Sequence, residues 1–128
     1  MKIAFTGPIC SGKSTLSLYL QENYNFKILN FAGKVKYYCK ELFNMNHKDR
    51  ALLQDFANKC REIDPNVWAN LVRNDILKNT TTHMVIDDLR YPNEYDMLKN
   101  EGFIIIRLDI SESFQKERIV STYPHTFK

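Results

Sequence analysis

Residues 7–15 read GPICSGKST, and Gly7-x-x-x-x-Gly12-Lys13-Ser14 within them fits the Walker A pattern in full. Glycines at both ends let the backbone turn tightly and aim successive N–H groups inward. Lys13 then reaches β- and γ-phosphates, and the Ser14 hydroxyl can ligate Mg²⁺. The candidate phosphate-binding residues are therefore Gly7, Cys10, Ser11, Gly12, Lys13, Ser14 and Thr15. The flanks suit them. Lys2-Ile3-Ala4-Phe5-Thr6 is a short, mostly apolar run that reads as a buried strand, and residues 13–24 carry Leu16 and Leu20 in helical spacing. Strand, loop, helix places an anion at a helix N-terminus, where unpaired N–H groups and the helix dipole favour it.

Outward from this loop, residues 26–31 predict a second strand, with Phe31-Ala32-Gly33 turning into a helix over 34–44. A helix fits 49–62, where Leu52, Leu53, Phe56 and Ala57 recur at helical spacing. Asp64-Pro65 then predicts a helix start, since Asp is a good N-cap and Pro is favoured at the first helical position. Residues 83–87 read as a strand ending in carboxylates, 93–101 as a helix closed by Gly102, 103–108 as a strand and 112–121 as a helix. Strands alternating with helices predict an α/β fold, a mostly parallel sheet covered on both faces. Ligands of such sheets collect at the carboxyl ends of the strands.

The chain has 128 residues, which suits a single domain spanning 1–128. Eighteen basic against fifteen acidic side chains leave a net charge of +3. With no basic tail or arginine-rich strip, composition gives no support to nucleic-acid binding, while the modest positive bias suits an anionic small molecule. The three cysteines are widely spaced and lack a Cys-x-x-Cys pattern, which argues against a disulfide framework or a zinc site. Neither a signal peptide nor a membrane-length apolar segment is legible, so the expectation is a cytoplasmic protein without a membrane partner.

The second constellation is MVIDDLRYPNE, residues 84–94. A carboxylate after an apolar strand is what a Walker B strand supplies, so Asp87 and Asp88 are candidates for Mg²⁺ or for proton acceptance; sequence does not separate them. Arg90 adds a fixed cation for phosphate oxygens. A GTPase would carry Asp-x-x-Gly here and Asn-Lys-x-Asp elsewhere; Asp87-Asp88 lacks the glycine and NKCR at 58–61 lacks the aspartate. A small kinase needs a second pocket for its acceptor, and residues 32–80, mostly helical, are the natural place for it.

These residues resemble the deoxynucleoside monophosphate kinases of bacteriophages and large DNA viruses, within the P-loop nucleoside monophosphate kinase-like group. The similarity is carried, in order, by GPICSGKST, FAGKVK, LLQDFANKCREIDPNVW, VIDDLRYPNEYDMLKNEG and FIIIRLDIS. It implies a three-layer α/β/α sandwich of P-loop NTPase type and transfer of the ATP γ-phosphoryl group to a deoxynucleoside monophosphate. It also implies that Lys13 and Ser14 serve ATP and Mg²⁺, with Asp88 or Asp87 beside the metal. Lys34 or Lys36 and Arg61 face the acceptor phosphate or its surroundings, Arg90 clamps the acceptor or transferring phosphate, and Arg118 lies in the region of a lid. Trp68 reads either as core or as a pocket-edge ring that stacks on a base. Family members continue through a lid, a further strand and a last helix, whereas this chain stops at STYPHTFK, with His125 as a remnant. The expectation is that a second subunit of a homodimer supplies the missing groups, or that catalysis is weak or lost. A kinase for another small acceptor, phosphomevalonate- or dephospho-coenzyme A-like, and a non-catalytic nucleotide-binding module are the competing readings.

Overall fold

A computed structural model of the chain describes residues 1–8, 11–79 and 83–109. The helix expected over 112–121, and with it Arg118 and His125, lies outside the described residues, as does Cys10.

The elements run β1 (Lys2–Thr6), α1 (Lys13–Tyr24), β2 (Lys27–Leu29), α2 (Phe31–Phe43), α3 (Arg50–Ile63), α4 (Val67–Lys78), β3 (Met84–Ile86), α5 (Pro92–Asn100) and β4 (Ile104–Arg107). The four strands form one sheet in the order β2-β3-β1-β4, with every pairing parallel. Ala4 stands opposite Ile86 on one side and Ile105 on the other. Because later strands flank β1 on both sides, the crossovers diverge about it, and the crevice at its carboxyl end is where open parallel sheets take their ligands.

Alternation of side chains divides the sheet into two apolar faces. Ala4, Leu29, Met84 and Ile86 pack with Ala69, Val72 and Ile76 of α4 and Leu98 of α5. Ile3, Phe5 and Val85 face the other way and pack with Phe26 and Leu20, the latter on α1. The expected α/β sandwich with both faces covered is thus present. A third cluster, Val35, Ala57 and Trp68 with Leu53 and Phe56 against them, joins α2, α3 and α4 into a helical wall beside the sheet.

Besides shifts of about a residue at other element ends, the starts of α2 and α4 differ from the sequence reading. α2 begins at Phe31, three residues early, because the Asn30 side chain accepts from Gly33 N at 2.6 Å and so caps the helix. Phe31 is therefore helical, and β2 ends at Leu29. Asp64 does not start α4: it closes α3, its N–H donating to Cys60 O at 3.0 Å, and Pro65 cannot continue that helix. Asp64 Oδ1 accepts from Asn66 N at 2.9 Å across the turn, and α4 begins at Val67.

Candidate active site

The phosphate loop is built from the end of β1. Gly7 has φ of +143°, and a Cβ there would sit 2.3 Å from Leu108 O, so the turn admits glycine alone. Gly12, left-handed with φ of 97°, leads into α1 without a side-chain cap, and the first turn of α1 carries no acid. Its leading N–H groups and positive dipole end are thus left for an external anion. Ser11 Oγ is buried and finds no hydrogen-bond partner among the described residues. Ser14 and Thr15 are exposed in the same first turn. Lys13 Nζ folds back to donate to Gly7 O at 2.6 Å.

Since β3 lies next to β1, the residues after it emerge beside the loop, and Thr6 Oγ1 donates to Leu89 O at 2.8 Å to fasten the two strand ends. Lys13, Asp87, Asp88 and Arg90 feel one another's charges here. Burial and Arg90 lower the Lys13 ammonium below its usual value, while Asp88 and Asp87 pull it back up. Burial raises Asp87 above the ordinary aspartate value against the opposing pull of its own backbone N–H and of Lys13.

Asp88 has a partner set of its own. Its Oδ1 accepts from Phe31 N at 3.1 Å and its Oδ2 from Ala32 N at 2.9 Å, so the carboxylate sits on the N-terminus of α2. Burial raises its pKa, opposed by those two N–H groups and by Arg90. Asp87 is the less encumbered of the pair for a hydrated cation. Among the described residues no cluster of three or more His, Cys, Asp or Glu could hold a metal. Mg²⁺ does not need one, because it binds through one or two carboxylates together with substrate phosphates and water.

Beside Asp88 a cavity of about 480 Å³ opens between α2, α3 and the start of α5. Five cations line it: Lys36, Lys48, Arg50, Arg61 and Arg90. Among the described residues the side chains of Lys36, Lys48, Arg50 and Arg90 form no ion pair. Lys36 and Arg50 crowd Lys48 and push its pKa down. Gln54 and Asn58 add amides to one wall, and Phe31, Val35 and Leu53 add apolar surface. Size and lining suit a small organic anion.

Two of the expected acceptor residues are elsewhere. Lys34 is in an ion pair with Asp75 of α4 and does not line the cavity, since it points from the opposite side of α2 to Lys36. Trp68 is only 3 % exposed, with its indole N–H donating to Ala57 O at 3.3 Å and its ring against Phe56, so it is core and offers no face to a base. Arg61 and Arg90 both reach the cavity. Lys48, Arg50, Gln54, Asn58, Tyr91 and Glu94 line it without having been singled out in the sequence. A signal existed: Arg50, Gln54, Asn58 and Arg61 recur at steps of four, four and three, a polar stripe along one face of α3.

The family model described as AAA domain matches residues 3–123 of the chain. A protein of Acanthamoeba polyphaga mimivirus named "Putative deoxynucleotide monophosphate kinase" is 27% identical in an alignment that covers 84% of this chain and 72% of that protein. A P-loop domain of this kind implies nucleotide binding.

Proposed function

Because the chain belongs to the AAA domain family of P-loop proteins, we propose that it transfers the γ-phosphoryl group of ATP to the phosphate of a deoxynucleoside monophosphate, with Mg²⁺. One observation carries this reading: a cation-lined cavity of about 480 Å³ is walled in part by Asp88 and Arg90, whose charges also act on Lys13 of the phosphate loop. A hydrolase needs only a water beside the γ-phosphate. A room of this size, walled by α2 and α3, is space for a second substrate, and the mimivirus protein's name agrees with that use.

The chain's own residues divide the work. The α1 N-terminus, Ser11 and Lys13 hold the nucleotide's phosphates. Ser14 and Asp87 would hold Mg²⁺, which supplies charge neutralisation when bound. An acceptor phosphate oxygen is already anionic at neutral pH, so it attacks the γ-phosphorus without a strong base as the bond to the β–γ bridging oxygen breaks. Neutralisation by Lys13 and Arg90 provides the catalysis, and Arg61 binds the acceptor phosphate. Asp88 keeps α2, and so the acceptor wall, at a fixed distance from the loop.

ADP release from Mg-ATP by the purified chain, with each deoxynucleoside monophosphate offered in turn, tests this directly. The expected result is release that depends on at least one monophosphate and is abolished in Lys13→Ala, a variant whose melting temperature stays near that of the wild type. Nucleotide binding without release would instead favour a binding module. Release with phosphomevalonate or dephospho-coenzyme A alone would move the acceptor to another class.

A further inference from the structure

Arg61 stands in the last turn of α3 and lines the cavity, and the charge of Glu94 acts on it without a direct ion pair. Its Cζ lies 4.6 Å from the centroid of the Tyr91 ring, and its Nη1 donates to Asn58 Oδ1 at 3.3 Å. Among the described residues no carboxylate forms an ion pair with it. Glu94 is the nearby acid, and its Oε1 is already taken by the backbone N–H groups of Arg90 and Tyr91, each at 3.0 Å. The same two bonds fix the backbone of Tyr91 where α5 begins.

The way a guanidinium is held decides what it has left to give. Its N–H donors lie in the plane, as a fork that matches phosphate or carboxylate through two parallel bonds. An ion pair with a carboxylate would spend that fork, whereas an aromatic ring grips the face and leaves the edge free. Arg61 spends a single Nη1 donor on Asn58. Its remaining donors are available, and the ring limits the rotamer freedom that would otherwise be lost when a phosphate binds.

We infer that Tyr91 is a positioning residue for the acceptor phosphate: its ring, anchored through Glu94, holds the Arg61 guanidinium over it at the cavity wall with the fork unspent. The inference rests on the phosphoryl-transfer reading above. It also makes a chemical demand on Tyr91. The contact with Arg61 is made by the ring, so the ring alone should do the work.

The experiment compares Tyr91→Phe, Tyr91→Ala, Arg61→Ala and the Tyr91→Ala/Arg61→Ala double variant. Tyr91→Ala should raise the acceptor KM about five- to tenfold, the size of a partly desolvated cation–π contact, with kcat and the ATP KM changed less than about twofold. Tyr91→Phe should stay within about twofold of the wild type, and Tyr91→Ala should add nothing in the Arg61→Ala background. Damage by Phe equal to that by Ala, or effects that multiply in the double variant, would overturn the assignment. A readout independent of turnover accompanies these. The Arg61 Nε–H resonance should be shifted upfield by the ring in the wild type and in Tyr91→Phe and return in Tyr91→Ala. Inorganic phosphate followed on that resonance should bind about five- to tenfold more weakly to Tyr91→Ala. If no monophosphate is phosphorylated, the kinase reading fails while the phosphate titration still decides the role of Tyr91; equal phosphate affinity in both proteins removes it.

Discussion

Three carboxyls near the site, Asp87, Asp88 and Glu94, are each raised by burial above their ordinary values of 3.8 for Asp and 4.5 for Glu. Each therefore binds its proton more tightly in the folded chain than in the unfolded one. The stability it contributes is complete below the ordinary value and is lost as pH rises through the raised folded value. Asp87→Asn removes one of these losses. Its melting temperature should exceed that of the wild type at pH 8, and the difference should close as pH falls towards 4. The same variant should lose most of the extra thermal shift that Mg²⁺ adds to ATP, and melting curves at several pH values with and without Mg-ATP check both. At this scale the phosphate-loop motif was legible in the sequence, because Gly7, Gly12, Lys13 and Ser14 stand at a fixed spacing and the turn at Gly7 has no room for a side chain. Asp87 and Asp88 were legible only as a pair, since two adjacent side chains part according to what α2 places beside one of them. Trp68 and the choice between Lys34 and Lys36 stayed open in the sequence because a large ring and a lysine near a pocket look the same there whether they face the cavity or the neighbouring helix.

The N-terminus of α2 is the best-satisfied helix end in the site. Asn30 takes Gly33 N, and the two oxygens of Asp88 take Phe31 N and Ala32 N. Asn30→Ala removes a side-chain cap and should destabilise the fold by about 1 kcal/mol, read as a lower urea midpoint with an unchanged slope. Nucleotide affinity should change little, because the phosphate loop rests on β1 and α1. The early start of this helix escaped the sequence reading: Phe26 to Phe31 is continuous with strand chemistry, and an Asn that caps looks like an Asn in a strand until its side chain meets Gly33. α3 was legible in its apolar face, Leu52, Leu53, Phe56 and Ala57, and its polar stripe was equally periodic. The stripe gained meaning only once α2 and α5 were seen to enclose it.

The parallel sheet and the covering of both its faces followed from alternation of strand and helix. The strand order did not, since it depends on which crossover passes which edge, and no local pattern records that. Order matters here, because β3 beside β1 brings Asp88 within reach of both the phosphate loop and α2. The start of α2 is therefore pinned to the carboxyl end of β3, beyond its apolar contacts, by one side chain with two oxygens, and two amide protons lie between them. Asp88→Asn keeps one acceptor oxygen and replaces the other with a donor, so Phe31 or Ala32, though not both, should lose its protection. Hydrogen exchange followed at these two amides should show one accelerating in the variant while the core amides of β1 and β3 stay slow; two unchanged rates would mean the wall is held by its apolar contacts alone. In the wild-type protein the same pair of protons is a built-in gauge: how fast they exchange reports how readily the start of α2 comes loose from the end of β3.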